Sequence, residues 1–202
     1  MKSVYDFIVR PIGERYANTK KIGDTDLVLN TKIENWKFVN RFAEVVSTPL
    51  AIATPVRTGD IIVLHQNVFR RFYNMKGKQV NSRSYFKDDL YFASVEQVYL
   101  YKRNKYWESL NDRCFVMPIK NTDTLTTQKE VSNVGILKIG NSFLKELEIT
   151  PGDLVTFKAG SEWEFNIDDE RLYCMKSNDI LLKHGYKENQ AEYNPRWAKG
   201  SR

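Results

Sequence analysis

Cysteine, histidine and glycine are scarce in this chain of 202 residues, which has two, two and ten of them. Cys114 and Cys174 each stand inside an apolar run, and with no C-x-x-C spacing there is no redox or zinc motif; they read as buried thiols of a reducing compartment. His65 and His184 have no cysteine or carboxylate at ligand spacing, so no metal site is expected. Glycine forms no phosphate-cradling loop, so no nucleotide site is expected on this chain. No apolar run approaches the ~20 residues of a membrane span. The opening Met1-Lys2-Ser3-Val4-Tyr5-Asp6 lacks the apolar stretch of a secretory signal, and cytoplasm is the expected address.

What is abundant points to strands. Aromatics make up 13% of the chain, too much burial energy for a disordered polymer. Short β-branched and aromatic runs recur, such as Ile61-Ile62-Val63-Leu64, Leu90-Tyr91-Phe92-Ala93, Cys114-Phe115-Val116-Met117 and Leu154-Val155-Thr156-Phe157. Turn residues separate them, as in Thr58-Gly59-Asp60 and Pro151-Gly152-Asp153. No window longer than ten residues sustains a helical apolar stripe. An all-β chain of small barrels or sandwiches is expected.

Landmarks also repeat in one order. Pro11-Ile12-Gly13-Glu14-Arg15-Tyr16 is answered by Ser109-Leu110-Asn111-Asp112-Arg113-Cys114, each read as an acid and an arginine leading into a strand. Ala43-Glu44-Val45-Val46 is answered by Gly135-Ile136-Leu137-Lys138, and the Gly59-Asp60 strand by the Gly152-Asp153 strand. Leu90-Tyr91-Phe92 with Ser94-Val95-Glu96-Gln97-Val98 is answered by Leu172-Tyr173-Cys174 with Lys176-Ser177-Asn178-Asp179-Ile180. Two homologous domains, about 1–103 and 104–186, and a flexible basic tail over 187–202 are the expectation. Each copy carries a long polar connection, residues 18–32 and 120–130, of a length that compact domains usually reserve for function.

These landmarks resemble the GroES family of co-chaperonins, the lids of GroEL-type folding chambers. Val9-Arg10-Pro11-Ile12-Gly13-Glu14-Arg15-Tyr16 is similar to the family's opening pattern, and Gly59-Asp60-Ile61-Ile62-Val63 to its Gly-Asp strand. Ala43 stands where the family usually has glycine, which Gly135 keeps, and Ser109 replaces the opening proline in the second copy. The resemblance implies two tandem GroES-like small β-barrels with a long mobile loop and hairpin extensions. It implies a non-enzymatic protein that assembles into a homo-oligomeric ring. That ring caps a GroEL-type chaperonin and acts on unfolded substrate proteins indirectly. ATP and Mg would be bound by the partner chaperonin, so no cofactor is expected here. Tandem domains of this type resemble plastid co-chaperonins, and divergent members occur in bacteriophages; without a transit peptide the cytoplasm, or a host's cytoplasm, is the expected location.

The resemblance also places the grip. Leu27-Val28-Leu29 falls where the family keeps an apolar tripeptide on its mobile loop, and Ile22 precedes it. Burying each side chain would contribute ~1.5–3 kcal/mol, and ordering a floppy loop costs ~1–2 kcal/mol per residue. One loop therefore binds weakly and a ring of loops binds by avidity. The bland alternative is a short edge strand packed on its own barrel. The second copy offers only Leu125, a secondary contact at most.

A rival function comes from residues 69–87, which hold six basic residues, no acid and five aromatics. That pattern suits a basic all-β protein binding single-stranded nucleic acid; the bland alternative is a solvated hairpin whose aromatics cap the barrel. The carboxylate pairs Asp88-Asp89 and Asp168-Asp169-Glu170 occupy equivalent turns and are read as solvated, not catalytic.

Overall fold

A computed structural model describes residues 1–16, 19–22, 25–28, 39–123, 125, 127–185 and 190–199. The chain is all-β, and it divides into two compact units, Met1–Trp107 and Glu108–Arg202. The division falls four residues beyond the expected boundary.

Unit 1 contains β1 (Phe7–Pro11), β2 (Thr19–Ile22), β3 (Thr25–Val28), β4 (Phe42–Ser47), β5 (Ile61–Leu64), β6 (Phe72–Tyr73), β7 (Gln79–Val80), β8 (Tyr85–Lys87), β9 (Leu90–Ala93) and β10 (Val98–Arg103). The next strand, β11 (Tyr106–Ser109), spans the division. A seven-stranded sheet runs β11-β10-β5-β4-β1-β9-β8, while β2-β3 and β6-β7 form separate two-stranded hairpins. Phe7, Val9, Val45, Ile62, Leu64 and Leu100 are buried along the central strands.

Unit 2 contains β12 (Arg113–Lys120), β13 (Glu130–Ile139), the short helix α1 (Ser142–Glu146), β14 (Leu154–Phe157), β15 (Trp163–Ile167), β16 (Glu170–Lys176) and β17 (Ile180–Lys183). Its sheet runs β15-β16-β12-β13-β14-β17. Read from the other end, this is the order of unit 1 without β11. Cys114, Val116, Leu137, Leu144, Val155 and Met175 form its main core. In both large sheets the described pairing is open-ended: β8 and β11 are the edges of one, β15 and β17 of the other.

The repeat extends to local irregularities. Ile8 pairs with Ser47 and Val9 with Val45 across a bulge; Phe115 pairs with Ile139 and Val116 with Leu137 across another. Each unit has a Gly-Asp turn with a left-handed glycine, Gly59 at φ 88° and Gly152 at φ 100°. Each aspartate caps its own turn, Asp60 Oδ2 accepting from Arg57 N at 2.8 Å and Asp153 Oδ2 from Thr150 N at 2.7 Å. Each also meets a cation from the next strand of its sheet, Arg103 at 3.2 Å and Lys183 at 3.1 Å.

This register corrects the sequence alignment of the first landmark. Val9 and Pro11 pair with Val45 and Ala43, and Val116 and Pro118 pair with Leu137 and Gly135. The counterpart of Val9-Arg10-Pro11-Ile12 is therefore Val116-Met117-Pro118-Ile119, not the segment around Ser109. Asp112-Arg113 does lead into a strand, but Glu14-Arg15 follows its strand. The two acid-arginine pairs therefore stand on opposite sides of their strands.

The C-terminal segment also departs from expectation. Residues 190–199 do not form a free tail but lie against unit 2. Lys120 N donates to Ala191 O at 2.7 Å and Tyr193 N to Pro118 O at 2.8 Å. Asn166 Nδ2 donates to Ala198 O at 2.9 Å, and Ala198 is fully buried. A polar segment is held here through its backbone, which composition does not register.

Candidate functional site

The excursion between β1 and β4 leaves and returns through a closed neck. Tyr16 and Val39 form an isolated antiparallel bridge, and both are buried. Asn40 N donates to Arg15 O at 2.9 Å. The Asn40 side-chain amide donates to the carbonyls of Ile12 at 2.7 Å and Glu14 at 3.0 Å, while its Oδ1 accepts from Phe42 N at 2.8 Å. One side chain thus ties both legs together.

Beyond the neck, β2 and β3 pair as an antiparallel hairpin. Thr19 stands opposite Val28, Lys20 opposite Leu27, Lys21 opposite Asp26 and Ile22 opposite Thr25. Within the long polar connection, Thr19–Ile22 and Thr25–Val28 thus pair with each other. The hairpin does not join the seven-stranded sheet as an edge strand. Ile22, Leu27 and Val28 all lie on this hairpin, whereas Leu29 lies outside the described residues. The polar composition hid the pairing, because Thr-Lys-Lys-Ile and Thr-Asp-Leu-Val show no apolar alternation.

The equivalent connection of unit 2 is shorter. Asn121 N donates to Lys129 O at 3.0 Å and closes its base. Leu125 is 94% exposed, in a chain of Asx turns where Asp123 N donates to Asn121 Oδ1 and Leu125 N to Asp123 Oδ1, both at 2.9 Å. Among the described residues of this connection none between Asn121 and Lys129 is in a strand.

The basic segment 69–87 sits beside the neck. Arg15 donates through Nη2 to Phe69 O at 2.7 Å and through Nη1 to Asn81 Oδ1 at 2.8 Å, and its guanidinium lies 5.0 Å from the Tyr91 ring centre. Burial pulls the Arg15 pKa down and pushes Tyr91 up to about 12. Arg71 N donates to the Tyr16 hydroxyl at 2.6 Å while its guanidinium covers the Tyr16 ring at 5.3 Å. Of the five aromatics only Phe69 is buried; Phe72, Tyr73, Tyr85 and Phe86 are 37–44% exposed. Tyr85 and Phe86 nevertheless pack on β9, with ring centres 5.5 Å from Tyr91 and 5.0 Å from Phe92, so packing on the core extends beyond Phe69.

Unit 2 holds an ion cluster that sequence reading missed. Arg171 donates to Glu130 Oε2 at 2.6 Å, to Glu164 Oε2 at 2.8 Å and to the Tyr173 hydroxyl at 2.6 Å; that hydroxyl donates to Glu130 Oε1 at 2.6 Å. Burial opposes the charged guanidinium, yet the two carboxylates raise its pKa. Trp197 of the C-terminal segment lies 5.9 Å over the same guanidinium. Glu130 and Trp197 are far from Arg171 in sequence, so only the sheet order β15-β16-β12-β13 and the return of the C-terminus assemble the cluster.

The groups weighed for chemistry occupy structural roles. Asp88-Asp89 and Asp168-Asp169 are the central residues of two-residue hairpin turns, with φ of 46°, 60°, 47° and 64°, a geometry that favours Asp, Asn and Gly. His65 Nδ1 accepts from Asn67 N at 3.1 Å, and His184 Nε2 lies 2.8 Å from Thr156 Oγ1. Cys114 and Cys174 are buried and form no disulfide, and burial pushes the Cys114 thiol up to about 12, where it is not nucleophilic. Among the described residues no cluster of histidine, cysteine and carboxylate has metal-site geometry.

Compared with protein-family models and with curated proteins, the chain matches none.

Proposed function

We propose that the chain is a co-chaperonin: two tandem GroES-like barrels that assemble into a homo-oligomeric ring and cap a GroEL-type chaperonin in the cytoplasm. The observation that supports the reading is the hairpin of β2 and β3, carrying Ile22, Leu27 and Val28 and rising from the Tyr16–Val39 neck. It stands where the resemblance puts the gripping loop. The landmarks that carry the resemblance are Val9-Arg10-Pro11-Ile12-Gly13-Glu14-Arg15-Tyr16 and Gly59-Asp60 in unit 1, with Gly135 and Gly152-Asp153 in unit 2.

The physics suits a reversible lid. An isolated two-stranded hairpin is marginally stable in water and gains most of its order from what it packs on. Docking Leu27 and Val28 in an apolar groove would contribute ~1.5–3 kcal/mol each, offset by ordering the hairpin. Single grips are weak and a ring of them is strong. The protein contributes no chemistry of its own; ATP and Mg belong to the chaperonin. Co-sedimentation with a GroEL-type chaperonin, with and without adenine nucleotide, tests the reading: nucleotide-dependent capture is expected, and no capture under either condition overturns it.

A further inference from the structure

The 69–87 segment concentrates the chain's excess positive charge. Its six basic residues, Arg70, Arg71, Lys76, Lys78, Arg83 and Lys87, account for the whole formal net charge of +6. Without them the chain has 25 basic and 25 acidic residues. The nearest acids in sequence, Asp88 and Asp89, lie in the following turn, where Asp89 Oδ1 accepts from the Tyr91 hydroxyl at 3.4 Å.

None of the six has a carboxylate partner among the described residues. Instead, cations lie over rings: Arg70 at 5.2 Å from the Phe72 centroid and Lys87 Nζ at 5.5 Å from that of Phe86. The Nε donors of Arg70 and Arg71 are buried without an acceptor.

The local scaffold presents these groups. β6 and β7 pair through Phe72–Val80 and Tyr73–Gln79. Their turn is closed by Asn74, whose Oδ1 accepts from Lys76 N at 3.0 Å and Lys78 N at 2.9 Å, with Gly77 at φ 70°. Lys76 and Lys78 therefore flank a structured tip, and Tyr73 stands 44% exposed at its base. At the segment's other end, Ser82 Oγ donates to Val68 O at 2.6 Å and anchors it.

We infer that this surface binds single-stranded nucleic acid, with the cations on phosphates and the exposed rings on bases. An acidic polypeptide would satisfy the charge but would leave the exposed Tyr73 ring without a planar partner. A duplex would present phosphates but keep its bases stacked inside. Alternating cations and exposed rings match a strand whose charge and π-faces alternate. The inference does not depend on the co-chaperonin reading, since it uses neither β2 nor β3.

The test is fluorescence anisotropy of labelled oligo-dT and oligo-U of about 15 nucleotides with the full chain. Four exposed cations, Lys76, Lys78, Arg83 and Lys87, predict a log-log salt slope of about −3. Lys76→Glu with Lys78→Glu, at the solvent-exposed tip, brings the slope to about −1.5. Tyr73→Ala leaves the slope unchanged and weakens binding about tenfold. Circular dichroism establishes that both variants stay folded. Three results overturn the inference: no binding of either oligonucleotide at about 50 mM salt, equal binding of the matching duplex or polyglutamate, or Tyr73→Ala without effect.

Discussion

Gly135 stands opposite Pro118 across β12 and β13, where an added Cβ would lie 2.5 Å from the Met117 carbonyl oxygen and 2.5 Å from Val116 Cγ1. The same position in unit 1 holds Ala43, opposite Pro11 and fully buried. The two repeats thus share a register but differ in how closely their strands approach. Backbone cannot move aside as a flexible side chain does, so Gly135→Ala should destabilise unit 2 by about 1–3 kcal/mol. Hydrogen exchange checks this: amides of β12 and β13 should exchange faster while those of β1 and β4 stay unchanged.

Arg171 holds two carboxylates that would otherwise face each other, and it supports the C-terminal segment through Trp197 and through its backbone N–H, which donates to Asn194 Oδ1 at 3.2 Å. Arg171→Ala removes the cation from a site where its side chain is only 12% exposed. Breaking a buried pair by removing one partner costs about 3–5 kcal/mol, and the partly exposed glutamates put this case at the lower end. Tryptic cleavage at Arg196 and Lys199 should accelerate. Arg171→Lys should rescue only in part, since one ammonium cannot reproduce the guanidinium fork.

Asp153 connects stability to pH. Its desolvation raises the pKa, but the Thr150 N–H and the Lys183 ammonium outweigh this and hold it below the ordinary 3.8. A carboxylate depressed in the folded state contributes stability above its unfolded pKa and loses it as pH falls through the folded value. Acid titration of the thermal midpoint should show unit 2 weakening below about pH 4. Asp153→Asn should lower stability at neutral pH and flatten that acid limb.

Leu27→Asp or Val28→Asp should abolish chaperonin capture while leaving the fold and assembly intact, because a carboxylate does not desolvate into an apolar groove. Leu125→Asp should have little effect, since one side chain carries about a third of the apolar contact of the Leu27-Val28-Leu29 tripeptide. Co-sedimentation of the three variants beside the wild type reads both outcomes. Capture retained by Leu27→Asp and lost with Leu125→Asp would move the grip to unit 2.

The apolar strand runs, the two Gly-Asp turns and the recurring closing segments are legible because each depends on neighbours in sequence. A left-handed glycine before an aspartate capping its own turn is a three- or four-residue device, and it repeats wherever those residues repeat. The all-β class followed from the same local signals.

Register was not legible. Glu14-Arg15 and Asp112-Arg113 look alike, but one pair follows its strand and the other precedes it. Only the pairing of Val9 with Val45 and of Val116 with Leu137 decides which prolines correspond. The hairpin carrying Leu27 and Val28 leaves no hydropathy signal because its strands pair through backbone hydrogen bonds, to which side-chain hydropathy is blind. The Arg171 cluster and the docked residues 190–199 depend on groups brought together from β13, β15, β16 and the C-terminus. Sequence alone therefore determined the apolar strand segments and the tight turns between them. The tertiary structure decided which strand faces which, because backbone hydrogen bonds and ion pairs between distant residues leave no periodic trace in the chain.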